Sequence, residues 1–189
     1  MSHPVNSTPL LFWQLVAAMI VAALVPTLWP TLDIQAAALF VGDTPAIASR
    51  TWWWVEWINA WAPAAFRVML LVAAVGWLTS HLLSRYKAWR LPLAFVVCAG
   101  IAGPGAVVNL GFKENWQRAR PYQVEIFGGT QQFTRATVIT DQCDNNCSFV
   151  SGHVACGFFF CSLMLIQARR RTWWLIAGTS AGLAIGFSR

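Results

Sequence analysis

Five apolar runs, residues 10–29, 61–83, 91–110, 151–168 and 172–187, limit this chain more than any other feature. The first three reach the roughly 20 residues a helix needs to cross a hydrocarbon core, and the fourth is just long enough. The fifth is short and stops where the chain stops. With 57% hydrophobic and 11% charged residues among 189, a soluble domain could not bury so much apolar surface. The composition therefore indicates an integral membrane protein. Backbone groups in lipid must find partners inside their own segment, so the spans are expected as helices; the short alternating segments of a membrane barrel are missing. The first run reads as an uncleaved span rather than a signal peptide. No Lys or Arg precedes it, the run is long, and Pro26 and Pro30 interrupt the place of a small-residue cleavage site.

Charge orients the spans. Two very short loops, RYKAWR from Arg85 and ARRRT from Ala168, carry six of the thirteen basic residues. The positive-inside rule puts both in the cytoplasm. Counting spans then places the amino terminus inside, and the loop of residues 111–150 outside together with Arg189. Arg50, Arg67, Lys113, Arg118, Arg120 and Arg135 fall on that outer side, so density in short loops, rather than a raw count, decides the orientation. No repeat or low-complexity linker divides the chain, which reads as one domain over residues 1–189. Trp53, Trp57 and Trp61 recur at helical spacing before the second run, the pattern of an interfacial helix in the aromatic belt. Gly42, Asp43 and Pro45 mark a turn ahead of it. Gly128 and Gly129 break the outer loop, which is expected to be irregular and to carry substrate discrimination.

Of the five cysteines, Cys98, Cys156 and Cys161 sit in spans as small apolar residues. Cys143 and Cys147 lie on the outer loop, where an oxidising compartment permits a disulfide; a bridge and free thiols stand as equal alternatives. Zinc is disfavoured, because no second Cys or His pair has ligand spacing.

Two segments carry chemistry. In KENWQRARP, Lys113 and Arg120 are seven residues apart, about two helical turns, so a helix would aim both from nearly one face. Pro121 then ends that helix at Arg120. The guanidinium fork matches phosphate oxygens and the ammonium adds a point charge. In SFVSGH, Ser151, Gly152 and His153 open an apolar helix whose free N–H groups and dipole favour an anion. Ser151 is also an N-cap candidate. Gly152 admits a phosphate close to the backbone, and His153 titrates near neutrality and suits proton transfer to a leaving oxygen.

These motifs resemble those of the type 2 phosphatidic acid phosphatase (PAP2) family, whose catalytic core is shared with vanadium haloperoxidases. Lys113 through Pro121 match its Lys-x6-Arg-Pro motif. Ser151-Gly152-His153 match its Pro-Ser-Gly-His motif with Val150 in place of Pro, and Ser188-Arg189 match the start of its Ser-Arg-x5-His-x3-Asp motif. The resemblance implies an all-α polytopic bundle with five spans of a six-span fold. It implies a metal-independent, cofactor-free phosphatase acting on a lipid phosphate in the bilayer, with no nucleic-acid partner. Lys113, Arg120 and Arg189 would hold the phosphoryl oxygens with Ser151 and the Gly152 amide, and His153 would protonate the leaving alcohol. The family's nucleophilic His and its Asp partner would fall beyond Arg189. The chain as written is thus expected to bind phosphate without covalent catalysis, as a fragment of an active enzyme. Phosphatidate, phosphatidylglycerophosphate, undecaprenyl pyrophosphate and lipid A are the candidate substrates, at the periplasmic face of a bacterial inner membrane. A lipid phosphotransferase and a non-catalytic phosphate-binding membrane protein are the alternatives.

Overall fold

The computed structural model describes residues 8–40, 52–144 and 147–188. Helices dominate it, and the described residues include no strand beyond a single bridge between Val124 and Gln131. The first run forms α1 (Thr8–Leu28), followed after Trp29 by α2 (Pro30–Ala38), where Pro30 takes a first-turn position that needs no N–H donor.

The tryptophan segment is not a separate interfacial helix. It is continuous with the second run in one 30-residue helix, α3 (Trp53–Leu82), which passes through Pro63. The Arg67 side chain donates to the Pro63 carbonyl at 3.2 Å, one route by which a proline-interrupted helix satisfies its backbone. Trp53 is 78% exposed and Leu82, at the other end, 84% exposed, so the outer face of α3 is apolar along its length.

A short turn (Ser84–Trp89) leads into α4 (Arg90–Gly100), which widens into a π-helical segment over Ile101–Lys113. Pro104 lies within the wide segment, and the Asn109 side chain donates to its carbonyl at 2.7 Å. Arg90 reaches back to the end of α3, its Nε donating to the Ser80 carbonyl at 2.8 Å. A basic side chain on the last carbonyls of a helix satisfies them and suits the dipole.

Trp53–Leu82 and Ser84–Lys113 are both long and apolar enough to cross a membrane, and in each only 11% of the most apolar stretch is buried. Surface of that kind is at home in lipid, not water. The fourth run is shorter than its sequence suggests. It forms α6 (Gly152–Ser162), extended by one turn to Leu165 as a 14-residue apolar helix. The basic turn Ala168–Arg170 precedes α7 (Arg171–Phe187). Between the π segment and α6 lie the single turn α5 (Glu114–Trp116) and an irregular head loop.

Helices α6 and α7 pack through glycine. A Cβ on Gly178 would lie 2.4 Å from the Cys161 backbone nitrogen, and one on Gly157 would lie 2.8 Å from Gly182. Small residues of this sort let helix backbones approach where hydrophobic exclusion cannot drive association. The core beside them centres on Phe66 of α3, whose ring meets Phe159 edge-on at 5.2 Å, with Leu163 completing the buried cluster.

Candidate active site

Four helix ends meet around one cavity of about 250 Å³. The amino end of α3 contributes Val55, Glu56 and Asn59; the π segment ends in Lys113; α6 begins with Ser151 and Gly152; and Ser188 follows α7. Arg120, Pro121 and Tyr122 come from the head loop.

Lys113 and Arg120 both line this space, but not by sharing a helix face. The helix stops at Trp116, because Gln117 takes a left-handed conformation (φ 44°) and turns the chain. The Asn115 amide donates to the Leu110 and Gly111 carbonyls at 3.0 and 2.7 Å, closing the end of the wide helix. Beyond the turn Arg120 is extended (φ −79°, ψ 154°). A residue with a short polar side chain or none is usual at positive φ, so Gln117 gave no sequence signal for the break.

The strand-like segment 118–120 is pinned from the other motif. The Ser148 backbone donates to the Arg118 carbonyl at 2.9 Å, and its hydroxyl donates to the Ala119 carbonyl at 2.9 Å. Arg118 itself does not line the cavity. It forms an ion pair with Asp33 of α2 and donates through Nε to the Thr134 carbonyl at 2.8 Å. Two arginines separated by one residue therefore have different tasks. One faces the cavity; the other anchors the loop that carries it.

Ser151 is the N-cap of α6, accepting from the Val154 N–H at 3.4 Å. Gly152 is buried, and a Cβ there would stand 2.6 Å from the Asn109 side-chain oxygen, so this close approach requires glycine. The amino end of α6 is thereby placed at the cavity wall, where the helix dipole favours negative charge. His153 is half-buried in that turn and is not among the residues lining the cavity. Arg189 lies outside the described residues; Ser188 before it is held by the Asn59 side chain, which donates to its carbonyl at 3.0 Å. Trp54 stacks near Phe187 (6.2 Å, 18°), a second tie between α3 and the end of α7.

Asn59, Glu56 and Ser148, like Val55 and Tyr122, are wall residues that sequence reasoning missed. The first two sit in a helix whose tryptophan periodicity masks them, and a lone loop serine carries no signal. In the head loop, Cys143 and Cys147 form a disulfide with Cα atoms 5.6 Å apart. Gly128 adopts φ 85°, and a Cβ on Gly129 would fall 2.1 Å from the Gln123 carbonyl, so both breakers are used at tight turns.

Residues 91–189 match the family model of the PAP2 superfamily. A lipid A 4'-phosphatase of Francisella tularensis subsp. novicida is 32% identical over 173 residues, covering 86% of this chain and 75% of that protein. Lipid A 4'-phosphatases of Rhizobium leguminosarum and Rhizobium etli are 40% and 45% identical over 86 and 72 residues. Those two matches span 45% and 38% of this chain, but only 36% and 28% of the relatives. No solved structure matches the chain. The chain belongs to the PAP2 superfamily.

Proposed function

We infer that the protein is a membrane lipid phosphatase, a hydrolase that removes a phosphoryl group from a lipid. The observation that carries this reading is the meeting of Lys113, Arg120, Ser151 and Gly152, drawn from three separate stretches, around one cavity. Lys113 and Arg120 neutralise the phosphoryl oxygens, the Arg120 fork adding direction to charge. The Gly152 N–H and the Ser151 hydroxyl supply donors without net charge. Donors fixed before the reaction stabilise charge on the phosphoryl oxygens in the transition state more than water does, because they need no reorganisation. Arg189, next to the cavity residue Ser188, is assigned a third cationic contact by the family motif. His153 is assigned proton delivery to the leaving oxygen on the same basis; it adjoins Gly152 in the first turn of α6.

Lipid A is the favoured substrate, since all three relatives are named for it. The site is assigned to the periplasmic face of a bacterial inner membrane, in a bundle of five spans that includes α1, α6 and α7. Support for that orientation comes from the basic turns Ser84–Trp89 and Ala168–Arg170, which lie at the helix ends away from the cavity.

The test is phosphate release by the full-length protein in lipid vesicles from lipid A, phosphatidate, phosphatidylglycerophosphate and undecaprenyl pyrophosphate. Release from lipid A that survives a chelator and stops with vanadate is expected. Absence of release from every substrate overturns the reading. Radiolabel appearing on an acceptor lipid instead of in free phosphate would make the protein a phosphotransferase.

A further inference from the structure

Arg120 sits at the cavity without help from regular secondary structure. Segment 118–120 lies between the end of α5 and the short turn that begins at Pro121, outside any helix. Its carbonyls at Arg118 and Ala119 are taken by one residue, Ser148, whose N–H and hydroxyl each donate at 2.9 Å. A hydrogen bond gives little net stabilisation when its donor is free to wander, because ordering the donor offsets the gain. The clasp therefore holds Arg120 only as firmly as Ser148 is itself held.

Ser148 has an anchor on each side. On its carboxyl side the Phe149 ring meets Trp116 at 5.8 Å, and Ser151 starts α6. On its amino side is Cys147, bridged to Cys143 at a sequence separation of 4. Both cysteines are buried, although they lie in an irregular loop. A ring closed over so few residues leaves its backbone few conformations, and Ser148 follows it directly. Cys147 and Ser148 line the phosphate cavity, whereas Cys143 does not. The bridge is thus one residue from the clasp, and the clasp ends one residue before Arg120. Charge-stabilising groups act best when their place is fixed before the reaction, so whatever fixes Ser148 bears on turnover.

We propose that the Cys143–Cys147 disulfide is a positioning device for the phosphate grip: it fixes Ser148, and through Ser148 it holds Arg120 at the cavity. Full turnover then requires the oxidised pair. The proposal rests on the phosphatase reading above and adds a covalent condition to it. Reduction by a dithiol breaks the S–S bond; the pair takes up two electrons and two protons, and the two thiols of the reductant become a disulfide. Ser148 then keeps its donors but loses one anchor, and Arg120 loses its fixed place. Such a bridge persists in an oxidising compartment, in keeping with the periplasmic face assigned above.

Phosphate release from lipid A and its inhibition by vanadate are measured on the full-length protein in vesicles. Cys143→Ala removes the bridge without touching the cavity wall, and is expected to raise the vanadate concentration for half-inhibition about tenfold. Dithiothreitol should do the same to the wild type, reversibly on reoxidation, and nothing further to the variant. Ser148→Ala should lose at least as much. Adding Cys143→Ala to Ser148→Ala should cost nothing more, because both act through one clasp. Additive losses, or a wild type with both thiols free that keeps its vanadate affinity, overturn the positioning role alone. Should Cys143→Ala fail to fold, reduction of the folded wild type decides. Oxidised wild type that releases no phosphate from lipid A or the other lipid phosphates overturns the phosphatase reading, and the positioning role with it.

Discussion

Around the cavity the chain is irregular, and side chains hold it by bonding main-chain carbonyls. Ser148 clasps 118–119, Asn59 clasps Ser188, and Arg118 clasps Thr134 while pairing with Asp33. Between α6 and α7 the contact is steric instead, glycine against backbone, with Gly178 and Gly157 leaving no room for a methyl group. The first region needs water-like chemistry to satisfy polar groups and can hold charge; the second suits lipid, where shape is the available means of recognition. Substitutions at the cavity end should thus alter turnover in a protein that still folds. Substitutions at the hairpin should alter folding in a protein whose chemistry is intact.

Substitutions at four positions can break or sharpen that contrast. The largest effect is expected for Arg120→Ala, which should lower kcat/KM by about 10³ with little change in melting temperature. Arg120→Lys should recover only part, since the fork is lost. Near-normal turnover in the alanine variant would mean that the cavity does not hold the phosphate. His153→Ala should lower kcat by about 10² while KM changes little, because proton delivery matters in the transition state. A rise in KM with kcat preserved would move His153 from acid to substrate contact. Gly178→Ala should cost about 2–3 kcal/mol of stability by overpacking, read as a lower melting temperature in detergent. Its activity per folded molecule should match wild type, and Gly103→Ala, where a Cβ meets nothing within 4 Å, is the control. Unchanged melting of Gly178→Ala would show that the hairpin yields at no cost. The smallest effect belongs to Asn59→Ala, which removes one hydrogen bond and should lower kcat/KM about fivefold, a loss of about 1 kcal/mol. If melting temperature falls with unchanged turnover, Asn59 belongs with the structural residues instead.

The motif residues were legible in the sequence because their chemistry is unusual in a membrane chain: clustered cations, and a Ser-Gly-His at a helix start. Helix positions were legible from apolar runs, although α3 runs eight residues further toward its amino end than the second run, from 61 back to 53. Composition marked 53–61 as interfacial and gave no reason to fuse it with the span. Two things were hidden. The route by which Lys113 and Arg120 converge depends on a left-handed Gln117, a conformation that residue type does not announce. The contribution of α3 to the cavity depends on tertiary packing, and Asn59 lies among tryptophans that dominate any periodicity.

The paired bonds from Ser148 have a consequence beyond holding Arg120 in place. They close the neck of the head loop, so residues 121–147 form a bounded cassette inserted between two fixed points. Lengthening a segment whose ends are already joined costs little, since closure entropy grows only with the logarithm of length. Lys113, Arg120, Ser151 and Gly152, proposed above to grip the phosphate, lie outside the cassette, so exchanging it as a unit, its cysteine pair kept, should redirect which headgroup is accepted while that grip is inherited.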